Sequence, residues 1–417
     1  MRLTHLSLSN FRNFSRLDKD LPGGPILLVG GNAQGKTSLL EAVYYLAALE
    51  SFHATQERQL INFLAWNEPI PVARIVADFE REDAPGKSVN PLAGPGFHRL
   101  EIRLYREGED VNGGARLRKD ILFDETKRKA HEVLGAFNAV LFLPQMTRVI
   151  EGSPEDRRRY LNLSLSQALP QYAPAISEYS RVMTQRNALL KQFAEKRTSA
   201  SQVDQELSFW DEKLAAAGAA IIQARLQFVQ ELERMAARIY RDLTRGEVLR
   251  LVYQPSYDPT PLPEGQKMLR LDAPLKGNRI SLDTIRQGFQ ECLLRLHSEE
   301  IFRGVTTVGP HRDELRFVSD GHDLGLFGSR GQVRTAILAL KLAEIEWIKD
   351  KTGQRPVLLL DEVLAELDAN RRADLLDRLV QSEQTLMTTT DLEQFSPEFI
   401  KQARVWHVQH EQITEQG

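Results

Sequence analysis

The sequence predicts an α/β protein in which a mostly parallel sheet, with antiparallel strands at its flank, is interrupted by a mainly helical second lobe. Three observations carry that reading. The run "GPILLVG" (Gly24 to Gly30) is continuously apolar, as a buried parallel strand is, and breaks on glycines before a helical pattern starts at Lys36. A second such run, "RPVLLL", ends in the carboxylates Asp361 and Glu362, and "TLMTTTD" (Thr385 to Asp391) reads as a further parallel strand. From Pro154 helical spacing takes over, so the expected divisions are 1–153 and 306–417 for the two parts of the sheet domain and 154–305 for the inserted lobe.

The bulk numbers fit this plan. A chain of 417 residues allows two or three domains. Its 42% hydrophobic and 27% charged composition is that of a soluble globular protein, and no apolar run approaches membrane-spanning length. The opening "MRLTHLSLSNFRNF" alternates and lacks the apolar core of a signal peptide. The single cysteine, Cys292, excludes a disulfide framework within the chain and a cysteine-based zinc site. A cytoplasmic protein is the simplest expectation. The net charge of −3, from 54 basic and 57 acidic residues, argues against a wholly basic nucleic-acid coat. It leaves room for local patches at Arg116–Lys119, Lys127–Lys129 and Arg157–Arg159.

Each element has its own signal. After the glycine-rich loop, Leu39, Leu40, Val43, Tyr44, Leu46 and Ala47 recur at helical spacing, giving a helix with one buried face. "PVARIVADFE" and "RLEIRLYRE" alternate like antiparallel strands flanking the first apolar strand, with a Pro/Gly/Ser loop between them. The turn-rich "GEDVNGGAR" precedes another, basic strand. In the helical block Leu207, Leu214 and Ile221 recur every seven residues over about three heptads. Together with "YSRVMTQRNALLKQFAEK" they suggest two packed antiparallel helices, far short of a coiled-coil arm. The loops at 84–96 and 256–279 carry no mechanistic signal.

The chemistry concentrates in a few places. Gly30, Gly35, Lys36 and Thr37 fit G-x-x-x-x-G-K-[ST] between a strand and a helix. The backbone amides of Gly30, Gly31, Asn32, Ala33, Gln34 and Gly35 can line a phosphate, with Lys36 reaching the outer phosphates and Thr37 and Ser38 opening the helix. Thr37 has the place to bind Mg²⁺ through its hydroxyl. Asp361 suits a Mg²⁺ contact, and Glu362 can polarise an attacking water. Lys36, Asp361 and Glu362 are therefore the expected catalytic set, with ATP and Mg²⁺ as the cofactors.

A second glycine loop, "FGSRGQVRT" (Phe327 to Thr335), also opens a helix. One ATP already has its phosphates held by the first loop, so a second anion site has no obvious task in the same polypeptide. It has one if two copies face each other head to tail, with Ser329 and Gly331 of one capping the γ-phosphate held by Lys36 of the other. His311-Arg312-Asp313 follows a Gly-Pro turn and reads as an ion-pair network. Arg186 and Asn187, at helical spacing beside Met183 and Leu190, read as buried packing or orienting groups.

Together "GNAQGKTS", "FGSRGQVRT", "LLLDEVLAELD" and "TTTD" resemble the SMC-like branch of the ATP-binding cassette ATPases. Within it, "LTHLSLSNFRNF", "GSPEDRRRYLN", "QRNALLK", "VGPHRDEL", "TAILALKLAE" and "ELDANRR" resemble the RecF family across nearly the whole chain, in the same order. That resemblance implies an ABC/SMC-type ATPase head, a helical second lobe without a long arm, and dimerisation when ATP is bound. It implies binding to double-stranded DNA near gaps and junctions, action with RecR and RecO in loading RecA, a place in the SOS response, and slow ATP hydrolysis. It also implies site roles: Arg12 at the nucleotide, Gln145 between the metal and the second lobe, and Ser329, Gly331 and Gln332 acting in trans. Asp368 would touch the partner subunit, and Thr390 would stand at the γ-phosphate. With DNA binding implied, Arg118, Lys119, Lys127 and Lys129 become the candidates for phosphate contacts. Another SMC-like or ABC-type ATPase not dedicated to RecA loading is the alternative. A long-armed SMC head is excluded by the short heptad run and the single cysteine, and a transporter subunit by the size of the helical block.

Overall fold

Strand character decides which sheet each segment joins. In the computed structural model, which describes residues 1–87, 90–109, 115–195, 200–259, 280–380, 382–409 and 411–415, contacts divide the chain into two units. The first comprises Met1–Met146, Gln167–Pro170 and Glu344–Gly417. β1 (Arg2–Phe11) and β2 (Phe14–Asp20) form a hairpin, and β3 (Gly24–Val29) leads into the glycine loop and the helix Lys36–Ala48. β4 (Val72–Arg81), β5 (Gly96–Glu109), β6 (Ala115–Phe123) and β7 (Thr126–Arg128) join the hairpin in an antiparallel sheet of order β2-β1-β4-β5-β6-β7. These strands therefore do not extend the sheet of β3, as their expected flanking position would allow. Most of the buried residues of β1 and β4, among them Leu6 and Leu8, and Ala73, Ile75, Ala77 and Phe79, are spaced two apart, which suits a sheet with one covered face.

β3 instead lies in a second sheet, of order β15-β14-β3-β13-β12-β8. Its members are β8 (Ala139–Phe142), β12 (Val357–Asp361), β13 (Gln384–Thr389), β14 (Arg404–Gln409) and β15 (Gln412–Glu415). All neighbours are parallel except the edge pair β14 and β15. β3, β8, β12 and β13 are buried along almost their whole length, as helix-covered parallel strands are. Leu6 and Leu8 of β1, Leu39 and Val43 of the helix, and Ile26 and Leu359 of this sheet share one hydrophobic core. Because the strands are parallel, the glycine loop, Asp361 and Thr390 leave the sheet at one edge, where ligands bind in such folds.

The second unit comprises Thr147–Ser166 and Gln171–Ala343. It takes in residues 306–343, which were expected with the sheet domain. The reason is a non-local pairing: β9 (Leu249–Gln254) pairs antiparallel with β10 (Glu314–Ser319), which carries β11 (His322–Asp323) on its other side. The helices Tyr172–Glu195 and Ala200–Thr244 are antiparallel, because partners descend one as they climb the other. Arg186 meets Asp211, Tyr179 lies against Gly218, and Tyr172 meets Arg225. The heptad seam is real but continues beyond three heptads: Phe228, Leu232, Ala236 and Ile239 are buried too, where the 45-residue helix runs on to β9, whose Arg250 and Leu251 donate to Glu233. No helix among the described residues is long and apolar enough to cross a membrane.

The polar core of this unit surrounds the turn at Pro310. Asp313 accepts from Arg225 at 2.9 Å and from the Tyr253 hydroxyl and the Ser256 amide, the expected ion-pair network. Arg157 pairs with both oxygens of Glu314, and Arg158 donates to the Asp313 carbonyl, so both are occupied within the unit. His311 is hydrogen-bonded rather than ion-paired. Its Nε2 lies 3.1 Å from the Thr306 carbonyl, which only accepts, so Nε2 carries the proton and Nδ1 accepts from Tyr179 at 2.8 Å. Burial pushes this imidazole down to about 4 from 6.5. The unfolded chain therefore binds a proton that the folded chain refuses, and stability falls as pH drops from about 6.5 towards 4. Across that window the loss is about 3 kcal/mol. Thermal unfolding at stepped pH should show it, and a His311→Gln chain should show a correspondingly shallower decline.

Candidate nucleotide site

The loop from Gly30 to Gly35 is shaped by two close approaches. A Cβ at Gly30 would stand 2.3 Å from the Val408 carbonyl oxygen of β14. Gly35 has φ +106°, and a Cβ there would stand 2.6 Å from Asn13 Nδ2, so glycine is required on both grounds. Lys36 is buried, with Nζ 2.6 Å from the Gly30 carbonyl, 3.1 Å from that of Gly31 and 3.6 Å from Glu362 Oε1. A cation is thus held at the loop's mouth by exchangeable neutral acceptors and one carboxylate.

The Thr37 hydroxyl donates to Asp361, 2.9 Å from Oδ1 and 3.1 Å from Oδ2, joining residues 324 apart in sequence. Glu362 follows in a left-handed conformation, φ 52°, with its side chain 47% exposed. Thr388, on the neighbouring strand, touches both carboxylate residues. A hydroxyl and one carboxylate suit a hard cation such as Mg²⁺, which takes its remaining oxygens from water and phosphates. Among the described residues no group of three or more His, Cys, Asp or Glu is placed to hold a metal by itself. The donor set therefore fits a metal that arrives with a nucleotide.

Lys36, Thr37, Asp361 and Glu362 line a cleft of about 1090 Å³. Arg12 enters it from the β1–β2 turn, at φ 55°. Its guanidinium grips both oxygens of Glu41 at 2.6 and 2.7 Å and donates to the Gln59 carbonyl. Glu41 is only 2% exposed and also accepts from Ser51. The charge of Arg12 is thereby matched, and its part at the cleft is that of a braced wall. Sequence reasoning missed Glu41, although a glutamate inside "SLLEAV" is an anomaly that flags it. It also missed Thr388 and the apolar rim of Ile61, Phe63, Leu64 and Trp66.

The cleft brings together Arg12, Gly31, Asn32, Ala33, Gln34, Gly35, Lys36, Thr37, Ser38, Asp361 and Glu362. Gly30 stands just behind it as the acceptor for Lys36. Other expected members lie elsewhere. Gln145 leaves β8 at the same sheet edge as Asp361, but its side chain is exposed and is not part of the cleft wall. Thr390 is exposed at the end of β13. Asp368 accepts from the Arg371 amide at 3.0 Å and so caps the helix Ala369–Val380.

The second glycine loop belongs to the other unit. The Ser329 hydroxyl accepts from the Gln332 amide at 3.2 Å, and Gln332 Oε1 accepts from the Ser329 amide at 3.0 Å. This reciprocal capping box opens the helix Arg330–Thr352 and holds the exposed Ser329 and Gly331 in one conformation. Of the basic candidates, Arg118 pairs with Glu107 at 2.6 Å and Lys127 with Asp120 at 2.6 Å. Lys119 turns inward to the Leu49 carbonyl and to Glu57, above the Tyr45 ring, which removes it from any patch. Lys129 is exposed.

The chain is similar to known proteins along its whole length. A family model described as RecF/RecN/SMC N terminal domain matches residues 2–414. The DNA replication and repair protein RecF of Chloroflexus aggregans is 39% identical over 421 residues, 99% of each chain. That of Herpetosiphon aurantiacus is 40% identical over 416 residues, 98% of each. The solved structure of the recombination mediator protein RecF–ATP in the RecFOR pathway is similar with a TM-score of 0.78 at 27% identity, covering 100% of this chain and 97% of that one. The Smc head domain from Pyrococcus furiosus shares the fold, with a TM-score of 0.50 at 17% identity.

Proposed function

This chain belongs to the RecF family within the RecF/RecN/SMC group, and from that premise we propose that it is an ATP-driven DNA-binding protein of recombinational repair and replication restart. The observation that carries the reading is the bond from Thr37 to Asp361, which closes the phosphate loop onto the carboxylate edge of the sheet. On binding ATP, Lys36 exchanges the Gly30 and Gly31 carbonyls for the outer phosphates, and the loop amides hold the remainder. Thr37 and Asp361 would hold Mg²⁺, which would offset the phosphate charge there, while Gln145 stands at the same sheet edge but outside the cleft wall. Glu362, whose carboxylate reaches the cleft, orients the attacking water and accepts its proton.

In this proposal ATP also joins two copies. The outward capping-box loop of one copy, from Ser329 to Gln332, covers the γ-phosphate on the other, with Asp368 and Thr390 at the same seam. The dimer binds double-stranded DNA near gaps and junctions, with Lys129 the first basic residue to test. It acts with RecR and RecO to promote RecA loading, and slow, DNA-stimulated hydrolysis releases it. What supports this is the family, the surface position of the second loop, and a relative solved with ATP.

The test is binding to a gapped duplex with and without ATP. Wild type should bind tightly only with ATP and double its mass by light scattering. Lys36→Arg should stall the cycle at its own site. Ser329→Arg should keep nucleotide binding by the monomer but lose dimerisation and at least tenfold in DNA affinity, about 1.4 kcal/mol. A single unchanged mass with and without ATP would overturn the ATP-joined dimer.

A further inference from the structure

β13 runs out through three consecutive threonines, Thr388 and Thr389 within it and Thr390 just beyond, and only one faces the carboxylates. Thr389 turns to the Asp391 carbonyl at 2.6 Å, and Thr390 is exposed. Thr388 is buried, and the parallel register of β12 and β13 sets it opposite Asp361. Its Oγ1 lies 2.7 Å from Asp361 Oδ1 and 3.0 Å from the Glu362 amide nitrogen. The direction of both bonds is forced. A carboxylate only accepts and an amide N–H only donates, so the hydroxyl gives its one proton to Asp361 and offers a lone pair to Glu362.

We propose that Thr388 is a positioning residue whose single hydroxyl locks the Asp361 carboxylate and the Glu362 backbone into one mutual geometry. This rests on the ATP-hydrolysing reading of the same cleft. Asp361 Oδ1 is then gripped from a helix and a strand, by Thr37 and by Thr388, so the carboxylate cannot rotate and Oδ2, with its one longer bond to Thr37, is the oxygen left for a cation. Glu362 sits in a left-handed conformation that a residue with a Cβ keeps only where its surroundings hold it. Its amide bond to Thr388 is that hold, and it aims the carboxylate at the cleft, 3.6 Å from Lys36. Hydrogen-bond partners of this kind, one step behind the reacting groups, commonly set metal affinity and rate.

The experiment uses the full chain with Thr388→Val, which keeps shape and strand propensity, and Thr388→Ser, which keeps the hydroxyl. Mn²⁺ binding to the ATP-loaded protein, titrated by electron paramagnetic resonance, should weaken about tenfold in the Val chain, and single-turnover hydrolysis should slow about 10- to 100-fold. ATP affinity measured without metal should stay within about twofold of wild type, and Ser should restore metal affinity to within about threefold. Should the Val chain not fold, Thr388→Ala removes the same hydroxyl without crowding Asp361. Wild-type Mn²⁺ affinity in the Val or Ala chain, or a Ser chain as impaired as Val, would overturn the proposal. A wild-type chain that binds Mn²⁺ and ATP but never hydrolyses would sink the hydrolytic reading alone, with the metal titration still deciding for or against Thr388.

Discussion

Replacing Arg186 with methionine is expected to destabilise the helical unit by about 3–5 kcal/mol, the cost of leaving buried charges without their partner. Arg186, Asp211 and Glu300 have fully buried side chains, each on a different helix. The guanidinium donates to Asp211 Oδ1 at 2.7 Å and to Thr306 Oγ1 at 2.9 Å, and Glu300 Oε2 lies 2.6 Å from Nη1. Asp211 also contacts His297 at 2.6 Å, and Glu300 accepts from the Thr307 amide at 2.7 Å. Removing Arg186 strands two carboxylates, whereas Asp211→Asn strands none outright and should cost less. Hydrogen exchange over the helix Tyr172–Glu195 gives the reading, because local opening governs it. Protection should fall by about two to four orders of magnitude in Arg186→Met, and a change of less than about fivefold would show that the network is relaxed or wet.

Much of the sheet domain was legible because its signals are local. β3 and β12 are unbroken apolar runs ended by glycines or carboxylates, so strand, loop and edge chemistry follow from the residues in order. The two-helix pair was legible from Leu207, Leu214 and Ile221 for the same reason. What stayed hidden depends on pairing across distance. The unit boundary moved because Leu249–Gln254 finds its partner in Glu314–Ser319, and no window of sequence contains both. Lys119 reads as part of a basic cluster but is drawn under by Glu57 and Tyr45. Thr388 gives no signal, since threonine is an ordinary strand former and its task exists only in register with Asp361. Ser329 carries two readings at once, an anion site and a helix cap, and the structure supplies the cap in full.

Those two readings of Ser329 separate in a mixing experiment between two inactive chains. Lys36→Ala removes the ammonium of the phosphate loop, and Ser329→Arg fills the surface of the second loop with a cation and a long side chain. Each alone should hydrolyse ATP at least about a hundredfold more slowly than wild type, since on the proposed composite site each loses a group aimed at the phosphates. In a head-to-tail dimer of one copy of each, one composite site carries both defects. The other pairs an intact Lys36 with an intact Ser329. An equimolar mixture should therefore recover up to about half of the wild-type rate, because only the mixed dimer has a sound ATP joint to hold it together and one of its two sites is intact. If the second loop served its own polypeptide, every chain in the mixture would keep its own lesion and no rate would return. Loss of the cap does not blur the comparison. It costs about 1 kcal/mol in a helix of 23 residues whose later turns are packed, so the unit stays folded. Recovery that also requires ATP-dependent mass doubling would join the two halves of the argument: the loop completes a neighbour's site, and the nucleotide is the joint between them.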